Sequence, residues 1–455
     1  MFPFSPANMV THYYTRLVYV FAVFCIVALP AAYGAAPETN RAPRDVVDQT
    51  ATLIENNYFA SDKAADIAKG LRQAATSGQF DRFQNPRDLA ATLTSRLQPL
   101  DHHFRVTWSP PEPRSGGRET AQSIGPSLSL ETLARRNAYG FHRVEMLPGA
   151  IGYLDITTFA DFSFSNPNEP ARKAADAALA LVSTADAIII DLRSNGGGSP
   201  NMVGYLVSAF TPPGADIYNT FHHRDSTDSE RPKEPYPVPR LDVPLYVLIG
   251  GRTASAAEST AYTLQAAKRA VVIGEPSVGA ANPGGEFPVG HGFFVFVSTA
   301  TAINPITGTN WENGGVKPDV VVEDPRQALE RAEILALQSV LARNPDSPET
   351  LETRWVLEAL RATQSPPRGG TPLTDYEGPF GDAWVTQEHG HLALHRGRRA
   401  PWTLVRIRGD VFSVVDEPYR RVIFERNPAH RVIRFEVMRA GGPASWYSRS
   451  SSPVR

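Results

Sequence analysis

The amino-acid sequence predicts a mainly parallel α/β core, preceded by a helical region and followed by a small antiparallel β-domain. Three observations support this fold class. Residues 45–100 have helical patterns, continuous apolar strands alternate with helical segments from residue 150 onward, and short alternating strands follow residue 374. Continuous rather than alternating apolar strands are typical of parallel sheets that helices cover on both faces.

Length and composition restrict the class of protein. A chain of 455 residues is too long for one hydrophobic core. Its hydrophobic content of 42% and aromatic content of 9% exclude wholesale disorder. The formal net charge of −2 gives no reason to expect nucleic acid as a partner.

The N-terminal segment predicts export. Residues 17–32 are strongly apolar, Arg16 precedes them, and residues 32–34 form a small-x-small cleavage site. We therefore expect a signal peptide over 1–34 and a periplasmic or secreted mature protein. An uncleaved membrane anchor remains the alternative. Cleavage would remove Cys25, the single cysteine, and leave no thiol for a disulfide, a metal site or catalysis.

Residues 36–108 form the predicted N-terminal helical domain. Ser61 is the expected N-cap of a helix over 62–77 that ends at Gly78. Asn85 followed by Pro86 opens a second helix over Arg87–Leu97, because a capping side chain followed by a first-turn proline is typical of helix starts.

Residues 126–344 form the predicted core domain. Its expected strands are Ile151–Ile156, Ala187–Leu192, Pro244–Gly250 and Val271–Gly274. Its expected helices are Pro170–Val182, a segment from Ser255 to about Ala267, and Asp324–Asn344. Further strands around 286–299 are expected as antiparallel additions.

A linker over 345–373 leads to the predicted C-terminal β-domain over 374–450. The expected strands are Trp402–Arg408, Val411–Val415, Arg421–Glu425 and Val432–Met438, which indicate a sandwich or small barrel. Basic side chains outnumber acidic ones over 391–455. This surface either docks acidic lipids or peptides, or is a solvated face that complements an acidic core domain.

Ser255 is the candidate nucleophile. It stands where a buried strand ends and a helix begins, at the sheet edge where α/β proteins place ligands. The Ala256 amide in the first helical turn is a candidate oxyanion donor, and the glycine run at 196–198 is a candidate source of the second. The alternative is that Ser255 only caps the helix, with Glu258 completing a capping box.

A nucleophilic serine needs a base, and the sequence favours His103. Lysines are scarce, and Lys268 lies at a helix end where a solvated role is expected. Glu312 is the one acid in a loop of Gly, Asn, Pro and Thr, so it is the candidate that orients the imidazole. No histidine or carboxylate recurs at metal-ligand spacing, so we expect neither a metal nor another cofactor.

Four segments together resemble the tail-specific, or C-terminal-processing, serine peptidase superfamily. They are AIIIDLRSNGGG (187–198), ASAAE (254–258), VIGEP (272–276) and ENGGVKPD (312–319). The resemblance implies a ClpP/crotonase-like fold with Ser255 as nucleophile. The lysine base of the bacterial members would fall on Ala280, so the Ser-Lys version is excluded here.

The Asp101–His103 segment instead is similar to the D-x-H segment of the branch that contains the tricorn core protease and the interphotoreceptor retinoid-binding protein. This resemblance implies that His103 is the base, that Glu312 completes the relay, and that Gly197 and Ala256 form the oxyanion hole. His102 stands where tricorn has a serine. The interval between His103 and Ile151 is short and lacks a strand-rich pattern, so we expect no PDZ domain of the kind that many relatives have.

These interpretations predict an exported serine peptidase that acts on protein or peptide substrates. Two alternatives stay open: a non-catalytic module that binds an apolar ligand or peptide on the same fold, and an esterase or amidase for small substrates. The sequence leaves the oligomeric state undetermined, and it implies a membrane association only if the N-terminal segment is uncleaved.

Overall fold

The computed structural model describes residues 43–110 and 129–450, apart from residues 344, 346, 349 and 368. The predicted signal peptide over 1–34, including Cys25, lies outside the described residues. Within the described ranges, no helix is both long and apolar enough to cross a membrane.

Three helices come first in the described chain: α1 (Pro43–Asn57), α2 (Ser61–Thr76) and α3 (Pro86–Leu97). The start of α3 is confirmed, since the Asn85 side chain accepts the N–H of Arg87 at 3.0 Å. The prediction that Ser61 caps α2 is wrong by one residue. The N–H of Ala64 donates to the Ala60 carbonyl at 2.8 Å, so the helix begins one residue earlier and Ala60 is its N-cap.

The strands of the middle region are β1 (Arg105–Trp108), β2 (Phe141–Leu147), β3 (Ile151–Ile156), β4 (Ala187–Asp191), β5 (Thr220–His223), β6 (Thr227–Ser229), β7 (Leu245–Ile249), β8 (Val271–Gly274), β9 (Gly284–Gly290), β10 (Phe293–Ser298), β11 (Ala300–Ile303) and β12 (Val320–Val321). The helices from here on are α4 (Leu130–Arg136), α5 (Pro170–Leu181), α6 (Pro200–Ser208), α7 (Ala256–Ala266), α8 (Ala328–Arg343) and α9 (Thr350–Gln364).

Six strands form the central sheet in the order β12-β8-β7-β4-β3-β2. All neighbours are parallel except β2, which runs antiparallel to β3 at one edge. Ile188 and Ile190 on β4 share an apolar cluster with α5, α6 and α7, whereas Ile189 packs in a second cluster with α8. Helices therefore cover both faces, which confirms the predicted mainly parallel α/β core.

Two smaller antiparallel sheets flank this core, with orders β1-β10-β9 and β11-β5-β6. The strands β9 and β10 are the antiparallel additions that the sequence predicted. The strand β1 follows the helices α1–α3 and pairs with β10 from Arg105 opposite Phe296 to Trp108 opposite Phe293. The chain segment just before β1, which contains His103, is thereby attached to the core.

The C-terminal region is one antiparallel sheet of eight strands in chain order: β13 (Gly378–Phe380), β14 (Ala383–Glu388), β15 (His391–Arg396), β16 (Trp402–Arg408), β17 (Val411–Val414), β18 (Glu417–Arg426), β19 (Val432–Arg439) and β20 (Ala444–Ser448). Phe380 and Arg449 form one antiparallel bridge between its two ends. The sheet therefore curls into a near-barrel around Tyr376, Phe412 and Phe435, as the sequence predicted for an antiparallel β-domain.

Candidate active site

Ser255 lies between β7 and α7 in a left-handed backbone conformation with φ of +54°. The glycine run after β4 packs directly against it. A Cβ atom placed on Gly197 would lie 2.8 Å from the Ser255 Cβ, and the φ of +110° at Gly197 also favours glycine. The N–H of Ala254 donates to the Asn195 carbonyl at 3.1 Å. The structure thus brings the serine and the glycine run together at the carboxyl edge of two neighbouring strands.

The two predicted oxyanion donors flank Ser255 and differ in their partners. Ala256 is the first residue of α7, where an N–H has no intrahelical acceptor. The N–H of Gly197 donates to the Asn195 side-chain oxygen at 2.8 Å. A substrate oxygen would therefore have to replace Asn195 before it could accept from Gly197.

Glu258 holds the backbone of the serine junction. Its carboxylate is completely buried and accepts the N–H of Ser255 at 2.7 Å, as a capping box requires. It also accepts the Ser277 hydroxyl at 2.6 Å and the N–H groups of Gly279 and Ala280 at 2.5 and 2.9 Å. The capping role is thus one part of a wider function, since Glu258 fastens α7 to the loop 277–282.

His103 lies in the loop between α3 and β1, with its ring largely buried. Its Nδ1 is 2.9 Å from Asp101 Oδ1, which also accepts the His103 backbone N–H at 2.9 Å. The other oxygen of Asp101 accepts the Ser298 hydroxyl at 2.9 Å. The His103 Nε2 is buried and has no hydrogen-bond partner, and no hydrogen bond joins it to Ser255.

Glu312 approaches the same nitrogen of His103 as Asp101 does. Its Oε2 accepts the N–H groups of Ala281 and Asn282 at 2.8 and 3.1 Å. Its Oε1 lies 3.4 Å from His103 Nδ1 and 3.1 Å from His102 Nδ1. The structure therefore brings Glu312 and His103 together, with both histidines directed at one carboxylate oxygen.

Asp101 is the nearer carboxylate to His103, and it was not among the predicted site residues. The signal for it was present in the D-x-H spacing. An aspartate often accepts the N–H two residues along the chain, and this turn brings its carboxylate beside the following side chain.

The loop 277–282 connects the two halves of the site. Glu258 binds the amides of residues 279 and 280, and Glu312 binds those of residues 281 and 282. Consecutive N–H groups of one loop therefore bind both Glu258, which accepts the Ser255 N–H, and Glu312, which lies beside His103. Ala280, at the position of the lysine base in bacterial relatives, contributes a backbone N–H to this arrangement.

The electrostatics of the histidine cluster match its geometry. Burial alone would raise the pKa of Asp101, but its hydrogen bonds and attraction to His103 outweigh burial and lower that pKa to about 2. Burial would lower the pKa of His103, but the Asp101 hydrogen bond and the charges of Glu312, Asp101 and Glu258 raise it. Burial raises the pKa of Glu312. Glu258 is thus among the carboxylates whose charge raises the pKa of His103.

The site has the components of a serine hydrolase. They are a serine at a strand-to-helix junction, a buried histidine with a free Nε2, and carboxylates at the Nδ1 of that histidine.

Comparisons with known proteins agree with this class. Residues 150–322 match the family model described as Peptidase family S41, and residues 29–137 match the N-terminal domain of Peptidase_S41 in eukaryotic IRBP. Residues 150–322 are thus similar to peptidase family S41, in agreement with the resemblance that the sequence motifs predicted.

The chain is 31% identical over 196 residues to the carboxy-terminal-processing protease of Bartonella bacilliformis, which covers 40% of this chain and 41% of that protein. It is 31% identical over 229 residues to the chloroplastic carboxyl-terminal-processing peptidase 2 of Arabidopsis thaliana. This match covers 46% of the present chain and 40% of that protein. A solved structure of a putative peptidase from Parabacteroides merdae matches the present structure with a TM-score of 0.45 and 19% sequence identity. The match covers 68% of the present chain and 99% of that chain. The chain spans about two fifths of the length of the curated relatives it matches.

Proposed function

We propose that this protein is a serine peptidase in which Ser255 attacks the carbonyl carbon of a peptide bond. His103 takes the hydroxyl proton at Nε2 as the bond between Ser255 Oγ and carbon forms, and it returns the proton to the leaving amine. Water then releases the acyl group by the same steps in reverse order. The amides of Ala256 and Gly197 stabilise the negative charge that develops on the carbonyl oxygen.

The observation that carries this proposal is the shared loop 277–282. It connects the carboxylate that binds the Ser255 amide to the carboxylate beside His103, so two segments about 150 residues apart in sequence meet at one site. The buried, unpartnered Nε2 of His103 supplies the position from which a base acts. In the resting arrangement this nitrogen forms no hydrogen bond, which is common for catalytic groups before substrate binds.

Two carboxylates share the relay in this proposal. Asp101 holds the proton on His103 Nδ1, and both Asp101 and Glu312 stabilise the imidazolium that forms when His103 accepts the proton of Ser255. The sequence assigned this role to Glu312 alone. The shorter distance of 2.9 Å from Asp101, against 3.4 Å from Glu312, supports a leading role for Asp101.

The substrate class follows from the relatives. The names of these relatives describe processing of carboxyl termini, and we extend this to proteins or peptides as substrates of the present chain. We also propose export to the periplasm or the exterior, because residues 17–32 have the pattern of a signal peptide. Cell fractionation and N-terminal sequencing of the mature protein test the export proposal.

A serine-reactive fluorophosphonate and an unstructured polypeptide together test the peptidase proposal. We expect the probe to label Ser255, and we expect Ser255→Ala to abolish both labelling and cleavage. Ser226→Ala is the matched control, because Ser226 is an exposed serine between β5 and β6. Cleavage by Ser255→Ala at the wild-type rate would refute the mechanism. If the probe labels Ser255 but the protein hydrolyses only small esters, an esterase would be favoured. If the probe does not label the protein and an apolar ligand binds tightly, a binding module would be favoured.

A further inference from the structure

Three members of the proposed relay, Asp101, His103 and Glu312, together with His102 have the spacing of a metal site. One ligand atom from each of Asp101, His102, His103 and Glu312 lies within 4.8 Å of the others. The Nδ1 atoms of His102 and His103 lie 3.1 and 3.4 Å from the same oxygen of Glu312, and Asp101 lies 2.9 Å from His103 Nδ1. In a tetrahedral zinc site with bonds near 2.1 Å, neighbouring ligand atoms are roughly 3.4 Å apart.

His102 is the member of this cluster that a proton relay does not explain. The relay needs one imidazole, yet a second imidazole is directed at the same Glu312 oxygen, with the ring centres of His102 and His103 only 4.0 Å apart. The side chain of His102 is 38% exposed, whereas those of the other three members are 4–14% exposed. His102 therefore gives solvent access to an otherwise buried group of ligands.

We propose that Asp101, His102, His103 and Glu312 bind a divalent transition-metal ion of the zinc class, and that this ion reversibly inhibits the enzyme. Two imidazole nitrogens with two carboxylate oxygens are a donor set that suits Zn²⁺ and disfavours Mg²⁺ and Ca²⁺, which prefer oxygen alone. The binding site stands on its own geometry. Only the inhibition rests on the proposed peptidase function.

The inhibition follows from the chemistry of imidazole. A neutral histidine carries one N–H, and the relay requires it on Nδ1 so that Nε2 can accept the Ser255 proton. A metal ion on His103 Nδ1 moves that proton to Nε2, which then donates instead of accepting. The ion also displaces Nδ1 from Asp101. Metal binding and base catalysis are therefore mutually exclusive at His103.

Titration of the full-length protein with Zn²⁺, and with Co²⁺ as a spectroscopic probe, tests the site without any need for catalysis. We expect calorimetry to show that one equivalent of Zn²⁺ binds. We expect bound Co²⁺ to absorb visible light with the intensity typical of tetrahedral coordination. His102→Ala and His102→Gln should each weaken binding at least tenfold, with thermal unfolding verifying that both variants fold. His142→Ala is the matched control, because His142 forms an exposed pair with a single aspartate, Asp155.

The kinetic measurement adds Zn²⁺ to the active enzyme and then removes it with EDTA. We expect loss of peptide cleavage with Zn²⁺, recovery with EDTA, and at least tenfold lower sensitivity in His102→Gln. The site would be overturned if the wild type bound no Zn²⁺. It would also be overturned if His142→Ala weakened Zn²⁺ binding as much as His102→Gln does. Zinc binding by a protein that cleaves no peptide would retain the site and refute the peptidase proposal. Active enzyme that does not respond to Zn²⁺ would refute the inhibition.

Discussion

The serine side and the histidine side of the site are built in different ways. Ser255 lies on one short segment, between β7 and α7, and the backbone N–H groups around it are bound to Glu258 and Asn195. His103 is held at Nδ1 by the neighbouring Asp101 and by the distant Glu312, and its Nε2 has no partner. Asp101 in turn accepts a hydrogen bond from Ser298, which comes from another distant part of the chain. The comparison teaches that the backbone of the nucleophile is fixed by hydrogen bonds to Glu258 and Asn195, whereas the base is held at Nδ1 by carboxylates and keeps Nε2 available to react.

The largest expected effect is on catalysis at the histidine side. We expect His103→Ala to lower kcat at least about 10⁴-fold, since members of a serine triad act as a unit. Lys268→Ala, at the end of α7, is expected to leave kcat within about twofold, because no lysine serves as base in this mechanism. Steady-state cleavage of a peptide measures both. Loss of activity in Lys268→Ala with retention in His103→Ala would reverse the assignment of the base.

The two carboxylates at His103 can be ranked by conservative variants. We expect Asp101→Asn to lower kcat about 10²–10⁴-fold, because an amide at Nδ1 favours the wrong imidazole tautomer. Glu312→Gln should lower kcat by about tenfold, since its oxygen is farther from Nδ1 and its other oxygen stays on two amides. Both kcat values are to be measured in the presence of EDTA. The opposite ranking would restore Glu312 as the main relay carboxylate, as the sequence alone predicted.

On the serine side, a change at Glu258 should act mainly through stability. We expect Glu258→Gln to lower the free energy of unfolding by about 2–4 kcal/mol, because an amide nitrogen in this buried site faces N–H donors that lose their acceptor. Glu275→Gln is the matched control, since Glu275 is only half-buried and its carboxylate accepts the N–H of Gly251 at 2.9 Å. Urea unfolding measures both variants. If the two substitutions lowered the free energy of unfolding equally, the contribution of Glu258 to stability would not depend on its burial.

The smallest expected effect concerns Glu230, a buried carboxylate behind α7. It accepts the Ser259 hydroxyl at 2.7 Å and the Asn219 amide at 3.0 Å, and burial raises its pKa to about 7. Between pH 4.5 and 7 the folded state retains a proton that the unfolded state releases, so the free energy of unfolding falls as pH rises. We expect a loss of about 2 kcal/mol between pH 5 and 7 that Glu230→Gln removes.

Urea unfolding at several pH values measures this slope, with Glu131→Gln as the control at an exposed glutamate. A wild-type slope that survives in Glu230→Gln would assign the pH dependence to another group.

Much of the fold could be predicted from the sequence because its signals are local. The strands Ile151–Ile156, Val271–Gly274 and Trp402–Arg408 have the predicted bounds, since short apolar or alternating runs end at turn residues. The cap of α2 was misplaced by one residue, because the preference for serine at an N-cap is outweighed here by a backbone hydrogen bond from Ala64 to the Ala60 carbonyl. The pairing of β1 with β10 joins segments nearly 190 residues apart, which no local pattern records.

The sequence by itself determined the main strands and helices of the core and of the C-terminal sheet, the position of Ser255 at the end of a buried strand, and the histidine expected to act as its base. These follow from periodicity, turn residues and family motifs that act over a few residues. Only the tertiary structure decided which carboxylate lies closest to His103, what Glu258 binds, and that His102 shares an oxygen with His103. Those relations depend on the loop 277–282 and on Ser298, which is 197 residues from Asp101. Their distances arise from packing of the whole core, because hydrogen bonds between remote segments form only once the chain has folded.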